Sequence, residues 1–272
     1  METIAFFTKQ GRRLPCFCFD GVVSTNDEAK RIIREGGPKC FAVTATEQTG
    51  GRGRHGRAFL SLAERGLYLS FVCPVTTENC ASFGVLSALA VAELLREFFG
   101  LDVTFKWPND VMADGKKICG ILPESVVGKG GERYVVSGMG VNFFYSAEEL
   151  GALSDIATSA VLCCKNEQLK CRFEQDRSGA LRAAAVRLAE LAAEIADETE
   201  SGEDLVAEYA ARLDTLGKKV RYTGVDGRRR TGVATGVAPD CALIVKRLGK
   251  EERIAWGEVT TVVRNGRKRR LT

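Results

Sequence analysis

Three arginines alternate with four glycines in the run Gln48-Thr49-Gly50-Gly51-Arg52-Gly53-Arg54-His55-Gly56-Arg57-Ala58-Phe59. Glycine lets a backbone approach a ligand closely, and guanidinium forks match carboxylate or phosphate in pairs of hydrogen bonds. A solvated basic loop would have the same composition, so this run alone leaves both readings open. Neither GxxxxGK[ST] nor a GxGxxG opening a helix is present, so any nucleotide site here must be built differently from a P-loop or a Rossmann turn.

Four further clusters carry polar groups at telling places. In Lys106-Trp107-Pro108-Asn109-Asp110 the residue before proline is held extended, so Trp107 ends a strand and a turn presents Asn109 and Asp110. One carboxylate beside arginines is the economy of a magnesium–phosphate site, although Asn-Asp after proline is also an ordinary turn. Along Lys116-Lys117-Ile118-Cys119-Gly120-Ile121-Leu122 strand alternation places Lys117 and Cys119 on one face and Ile118 and Gly120 on the other, which makes Lys117 the fixed lysine and Lys116 the solvated one. In Gly138-Met139-Gly140-Val141-Asn142 the absent side chains allow either a ligand or a tightly packed sheet against the strand. Ser24, Thr25 and Asn26 fall where a strand gives way to a helix, and Thr25 stands three residues before Glu28, the spacing of a capping box.

The elements that must hold these groups can be read from periodicity. Strands are expected at 16–20, 41–47, from Leu67 onward, and at 103–107, 118–127 and 134–142, with turns at Asp114-Gly115 and at Gly128, Gly130 and Gly131. Helices are expected from Thr25 to Gly36, over 79–99 through Phe83, Leu86, Leu89 and Leu94, through Leu181, Leu188 and Ile195, and over 202–213. Short turns between strands imply an α+β fold with a mixed, largely antiparallel sheet and helices packed on it. Pro123 within a strand predicts an edge or a bulge. Beyond Gly217 short strands at 220–223, 231–237, 243–247 and 254–263 predict a small separate β-barrel, which divides the chain into domains 1–216 and 217–272. The basic stretch 264–270 is expected to be a solvated end.

Composition bounds the answer. The 272 residues are 45% hydrophobic and 27% charged with 6 Pro, as in a globular protein, and 39 Lys plus Arg against 35 Asp plus Glu give a net charge of only +4. Ten cysteines form no CxxC pair and His55 is the only histidine, so structural zinc is not expected and the thiols are read as buried, reduced packing groups. No signal peptide or membrane span is visible, and a cytoplasmic location is expected.

SerThrAsn at 24–26, GlyArgGlyArgHisGlyArg at 51–57, LysTrpProAsnAsp at 106–110, LysIleCysGlyIleLeu at 117–122 and GlyValAsn at 140–142 follow in an order and spacing that resembles the biotin–protein ligases. A weaker likeness runs on through ProAspCysAlaLeuIleVal and TrpGlyGluVal. The resemblance implies a catalytic domain like that of class II aminoacyl-tRNA synthetases with an SH3-like C-terminal barrel. It also implies ATP-dependent formation of biotinyl-adenylate, with magnesium, and transfer of biotin to a lysine of a biotin carboxyl carrier protein or domain, such as that of acetyl-CoA carboxylase. On the matching positions Ser24, Thr25, Asn26, Gln48, Gly51, Gly120, Leu122, Gly138 and Gly140 would form the biotin site. Arg52, Arg54 and Lys117 would meet the biotin carboxylate and the α-phosphate and carry the chemistry. Lys106, Asn109, Arg57, Phe59 and Asn142 would join them on ATP, with Asp110 and Asn142 holding the metal.

Two departures stand out. Position 59 is Phe where many relatives have Trp, which keeps a stacking face but loses an N–H donor. Only about twenty residues precede Ser24, too few for the winged helix of ligases that repress transcription, so no DNA binding is expected, and the protein is read as a monomer or weak homodimer. The nearest alternative is a lipoate–protein ligase, and one from another class is a non-catalytic nucleic-acid-binding protein using the loop arginines and the basic end.

Overall fold

The computed structural model describes residues 1–75, 80–198, 202–224, 226–255, 257 and 259–261. Two antiparallel strands, β1 (Glu2–Phe7) and β2 (Arg13–Val22), lead into α1 (Thr25–Arg34), β3 (Phe41–Gln48) and β4 (Gly66–Pro74). The long α2 (Cys80–Phe99) is followed by β5 (Thr104–Lys106), β6 (Asp110–Ala113), β7 (Lys116–Val127) and β8 (Arg133–Asn142). Helices α3 (Ala147–Leu150), α4 (Ala160–Cys163), α5 (Glu167–Gln175), α6 (Arg177–Glu198) and α7 (Gly202–Ala211) precede β9 (Lys219–Thr223), β10 (Arg229–Val237), β11 (Leu243–Arg247), β12 (Lys250–Ile254) and β13 (Val259–Thr261).

The first eight strands form one sheet in the order β1-β2-β3-β4-β8-β7-β6-β5, antiparallel throughout except for β2 beside β3. Alternation sorts its side chains. Leu67, Leu69, Phe71, Met139 and Val141 point to the face packed under α2 and α6, and α2 is apolar nearly all round because it is sandwiched between sheet and helices. On the opposite face Val72 and Val136 pack under Ala29, Ile32 and Ile33 of α1. Beyond the N-terminus of α1 that face changes character, with Ser70, Gly138, Gly140 and Gly120 in place of branched aliphatics. The site lies there.

The expected α+β architecture is present, with corrections. The capping-box reading was off by one residue: Ser24 is the extended N-cap, it makes no side-chain cap bond, and Thr25 is already helical. The Asp114-Gly115 turn joins β7 to an unexpected short strand, β6, so Asp110 opens a strand rather than sitting in a turn. The Lys117/Cys119 pairing on one face is overturned. Val111 opposes Cys119 while Met112 opposes Lys117, so Ile118 is the extra residue of a bulge. Ile118 and Cys119 both turn into the core, fully buried, and Lys117 shares the site face with Gly120. At Pro123 the edge expectation holds: β6 pairs with β7 only as far as Gly120, and proline stands where no outer partner needs its N–H.

The later strands form a second, antiparallel sheet in the order β12-β11-β10-β9-β13, with no pairing between its end strands among the described residues. The expected strand over 254–263 is split, β12 ending at Ile254 and β13 starting at Val259, and residues 262–272, including the basic end, lie outside the described residues. Val220, Tyr222, Leu243 and Val245 are buried in the same apolar core as Phe105 and Leu213, so the second sheet packs continuously onto the first.

No described helix is long and apolar enough to cross a membrane. The nine cysteines whose side chains are described are free thiols. Burial pushes Cys40 and Cys241 up to about 11 and Cys73 and Cys119 higher still, so they behave as packing groups rather than nucleophiles.

Candidate functional site

The polar residues at the start of α1 are held by the strands beneath them. Gln48 Oε1 accepts from the Thr25 backbone N–H at 2.9 Å and its Nε2 donates to Ser61 Oγ at 3.0 Å. Asn26 Nδ2 donates to Leu122 O at 3.1 Å and to Glu124 Oε2 at 2.7 Å, while Ser70 Oγ stands 2.6 Å from Asn26 Oδ1 and 2.8 Å from Thr25 Oγ1. The space above Gly138 is taken by this amide: a Cβ there would stand 2.4 Å from Asn26 Oδ1. The glycine makes room for a protein side chain, which in turn ties β4, β8 and β7 together. Ser24 spends no side-chain bond on capping and lines the cleft.

The glycine–arginine run is a tight hairpin rather than a loose loop. Arg52 bridges to Ala58, Gly53 N donates to Arg57 O at 2.8 Å, and Phe59 N donates to Gly51 O at 2.9 Å. Gly51 itself does not line the cleft; it is buried behind it, where a Cβ would collide with Ser61 Oγ and with the Phe59 carbonyl. Tyr68 and Tyr145, hydroxyls 2.7 Å apart, bind Leu60 and Leu62 and anchor the far end of the hairpin. The Phe59 ring lies across the glycine floor, 2.6 Å from where a Cβ on Gly140 would be and 3.2 Å from one on Gly120. Arg52 pairs with Asp27 at 2.5 Å, and Arg54 reaches Asn109 Oδ1 at 3.4 Å and Gly257 O at 2.6 Å.

On the far side Asp110 opens β6, and its carboxylate is 2.6 Å from Lys117 Nζ. Asn109 Nδ2 donates to Ile121 O at 2.9 Å. Asn142 ends β8, and its Nδ2 donates to Thr158 O at 2.9 Å, which fixes the orientation of the amide and leaves Oδ1 turned away from that bond. These groups enclose a cleft of about 450 Å³ lined by residues from both sheets, including Val259 and Thr260 of β13. Arg54, Lys117 and Asp110, from three chain segments, share it. Its charged lining is Arg52, Arg54, Arg57, Lys106 and Lys117 against the single carboxylate Asp110.

Trp107 is not in the same position as its neighbours in the motif. It is buried, its backbone N–H donates to Thr215 Oγ1 at 3.1 Å, and its indole N–H donates to Cys241 O at 3.0 Å, so it braces the Asn109–Asp110 segment against the second sheet. Trp107→Phe keeps most of the apolar area and orphans the Cys241 carbonyl, at a cost of about 1–3 kcal/mol. Thermal unfolding should drop by several degrees, and an unchanged transition would show the brace to be dispensable.

Sequence reading did not find Ser61, Ser70 or Glu124, nor the apolar rim of Leu150, Leu153, Ile156 and Ala157 beside Lys117. Ser70 did leave a signal: a hydroxyl inside LeuTyrLeuSerPheVal, now fully buried, had to have a partner across the sheet. The rim lies in a segment without strand or helix periodicity, tied to β7 by Lys117 N donating to Ile156 O at 2.9 Å.

Comparison with known proteins gives this geometry a lineage. The profile of the Biotin/lipoate A/B protein ligase family matches residues 22–142, the stretch that holds the polar cradle, the hairpin and the lysine strand. The biotin--[acetyl-CoA-carboxylase] ligase of Mycobacterium tuberculosis is 30% identical over 227 residues, covering 80% of this chain and 77% of that protein. The chain belongs to the biotin/lipoate A/B protein ligase family. The bifunctional ligase/repressor BirA of Bacillus subtilis is 32% identical over 143 residues, 52% of this chain, and the match spans only 44% of the length of that relative. The family fold extends over nearly the whole chain: the biotin protein ligase from Aquifex aeolicus in complex with biotin and ATP superposes with a TM-score of 0.67 and 25% identity, covering 90% of this chain and 97% of that one.

Proposed function

We propose that this chain is a biotin–protein ligase: it condenses biotin with ATP to biotinyl-5′-AMP, releasing pyrophosphate, and transfers the biotinyl group to a lysine of a biotin carboxyl carrier domain. The observation that carries this reading is the lining of the cleft, which joins an uncharged cradle of hydroxyl and amide groups at the start of α1 to five cations, Arg52, Arg54, Arg57, Lys106 and Lys117, with Asp110 its single carboxylate. A neutral, hydrogen-bonding ring fits the first end and an acyl phosphate the second.

The chemistry follows from that arrangement. The carboxylate of biotin attacks the α-phosphorus and pyrophosphate leaves, so charge spreads over phosphoryl oxygens in the transition state, which Arg52, Arg54 and Lys117 would oppose. The hairpin covers the mixed anhydride and keeps water from it until the acceptor amine arrives. The relation of metal to protein fits as well: one carboxylate, Asp110, with the Asn142 amide oxygen is a donor set for a magnesium ion that takes its remaining ligands from phosphates and water, and no described group of three or more His, Cys, Asp or Glu side chains offers a richer one. When bound, magnesium would supply charge neutralisation on the phosphates.

The hydroxyl–amide cradle of Ser24, Thr25 and Gln48 favours the ureido ring of biotin over the apolar dithiolane of lipoate, the other substrate class of the family. Closure of the second sheet, β9 to β13, into an SH3-like barrel, with that unit serving as the outer wall of the cleft, and a cytoplasmic setting complete the reading. Titration calorimetry with biotin, with and without ATP and magnesium, tests it together with label transfer to a biotin carrier domain and to a lipoyl domain. Biotin should bind nearly independently of salt and label should enter only the first carrier. Labelling of the lipoyl domain would move the assignment to the sister activity, and no heat with either acid would end it.

A further inference from the structure

The transfer half of the proposed reaction meets an electrostatic obstacle in this cleft. A lysine side chain arrives as an ammonium ion, which is no nucleophile, and it must enter a space lined by five cations, with Asp110 the single carboxylate among the described residues. The amine therefore has to shed a proton before it goes in. Asp110 is poorly placed to take that proton, because its carboxylate is half-buried and 2.6 Å from Lys117 Nζ.

Histidine takes up and releases protons near neutrality, and the one histidine of the chain stands at the mouth. His55 is exposed at the tip of the hairpin, in the single turn Arg54–Gly56, and lines the cleft. Its backbone is left-handed, at φ 57° and ψ 29°, a state that His and Asn tolerate better than most residues. The turn is held in place from both sides: Gly53 N donates to Arg57 O at 2.8 Å, and Arg54 reaches Gly257 O, between β12 and β13, at 2.6 Å. The charged groups that share the space are Arg52, Arg54 and Arg57 of the same hairpin, Lys106 and Asp110 on β5 and β6, and Lys117 of β7. Apart from the arginines, the other exposed lining residues are Ala58, Leu153, Ile156 and Thr260, none of which can take a proton.

We propose that His55 is the general base of the transfer step, taking the proton of the acceptor lysine at the mouth of the cleft; this rests on the ligase reading above. An imidazole nitrogen removes one proton from the ammonium group. The freed electron pair forms the C–N bond to the biotinyl carbonyl carbon, the bond from that carbon to the phosphate oxygen breaks, and AMP leaves with its electrons. The second amine proton passes to water, and so does the one on His55, which is open to solvent. Adenylate formation joins a carboxylate to a phosphate and has no proton to remove, so His55 should be silent there.

The test uses the whole chain carrying His55→Asn or His55→Gly, two residues that keep the left-handed turn and lack the basic nitrogen. With biotin and ATP alone, pyrophosphate release should stay within about twofold of wild type. Hydroxylamine, a nucleophile that is uncharged near neutrality, should trap the adenylate as fast in the variants. Single-turnover transfer from enzyme-bound adenylate to an unmodified biotin carboxyl carrier domain should slow about 10²-fold in both, with half-saturation by that domain within about twofold of wild type. Free imidazole should restore transfer in His55→Gly and leave the wild type unmoved. Transfer within about threefold of wild type, in variants that still make adenylate, overturns the base and spares the ligase reading. Slow transfer with weakened carrier saturation and no response to imidazole would make His55 a contact residue and likewise overturn the proposal. A wild type that releases no pyrophosphate with biotin overturns both readings.

Discussion

Lys117→Ala should slow pyrophosphate release by about 10²–10³-fold, the usual cost of removing one fixed donor from developing charge, while leaving the protein folded. Lys117 is held independently of its ammonium group. Its N–H donates to Ile156 O and its carbonyl accepts from the Thr158 N–H, each at 2.9 Å, so alanine keeps the backbone in place. The side chain is 33% exposed and its partner Asp110 20%. Such a partly solvated pair is worth about 0–1 kcal/mol, so the melting temperature should move by no more than a few degrees. The bulge at Ile118 is what aims the ammonium group into the cleft, next to Phe59 across Gly120. Lys117→Arg should recover only part of the rate, because the Nζ already sits 2.9 Å from where a Gly120 Cβ would be and a planar fork has little room there. Single-turnover measurement of pyrophosphate in a variant with a native melt is the check. A rate within about threefold of wild type would remove Lys117 from the chemistry.

How far the sequence reveals this arrangement depends on whether a residue acts through local geometry or through a distant partner. The α2 repeat and the alternation of β4 are local, so the elements and the sheet class could be read from spacing. The arginine hairpin, the Lys117 strand and the segment from Lys106 to Asp110 could be recognised because their residue types are unusual together. What escaped reading was set by pairing. A strict period of two put Lys117 with Cys119, and only the opposing strand reveals that Ile118 is an extra residue. The capping-box spacing at Thr25 was present, yet Thr25 bonds Gln48, twenty-three residues away, and the cap falls on Ser24. The glycines at 138 and 140 read correctly as places of close approach, but what approaches is the Asn26 amide at one and the Phe59 ring at the other. No window of sequence holds both partners of either pair.

Gly138→Ala should for that reason damage the end of the cleft proposed for biotin while sparing the other end. An added Cβ would stand 2.4 Å from Asn26 Oδ1 and 3.0 Å from its Cγ, too close for any contact, and Asn26 is only 4% exposed, with bonds to Leu122 and Glu124 on β7 and Ser70 on β4. Overpacking of this kind costs about 1–3 kcal/mol of stability. Because Ser70 also bonds Thr25, whose neighbour Gln48 lies in the same cradle, biotin affinity should fall about 100-fold, the equivalent of one or two orphaned hydrogen bonds. ATP binding, which the proposed function assigns to groups across the hairpin, should change by less than about threefold. The decisive comparison adds Asn26→Ala to the same chain: removing the amide vacates the space the new methyl needs, so the double variant should melt higher than Gly138→Ala alone, a strongly non-additive pair. Its biotin affinity should stay low, because the cradle has lost its central group. If calorimetry found affinity restored along with stability, Asn26 would be a spacer between strands and the biotin ring would have to be held elsewhere.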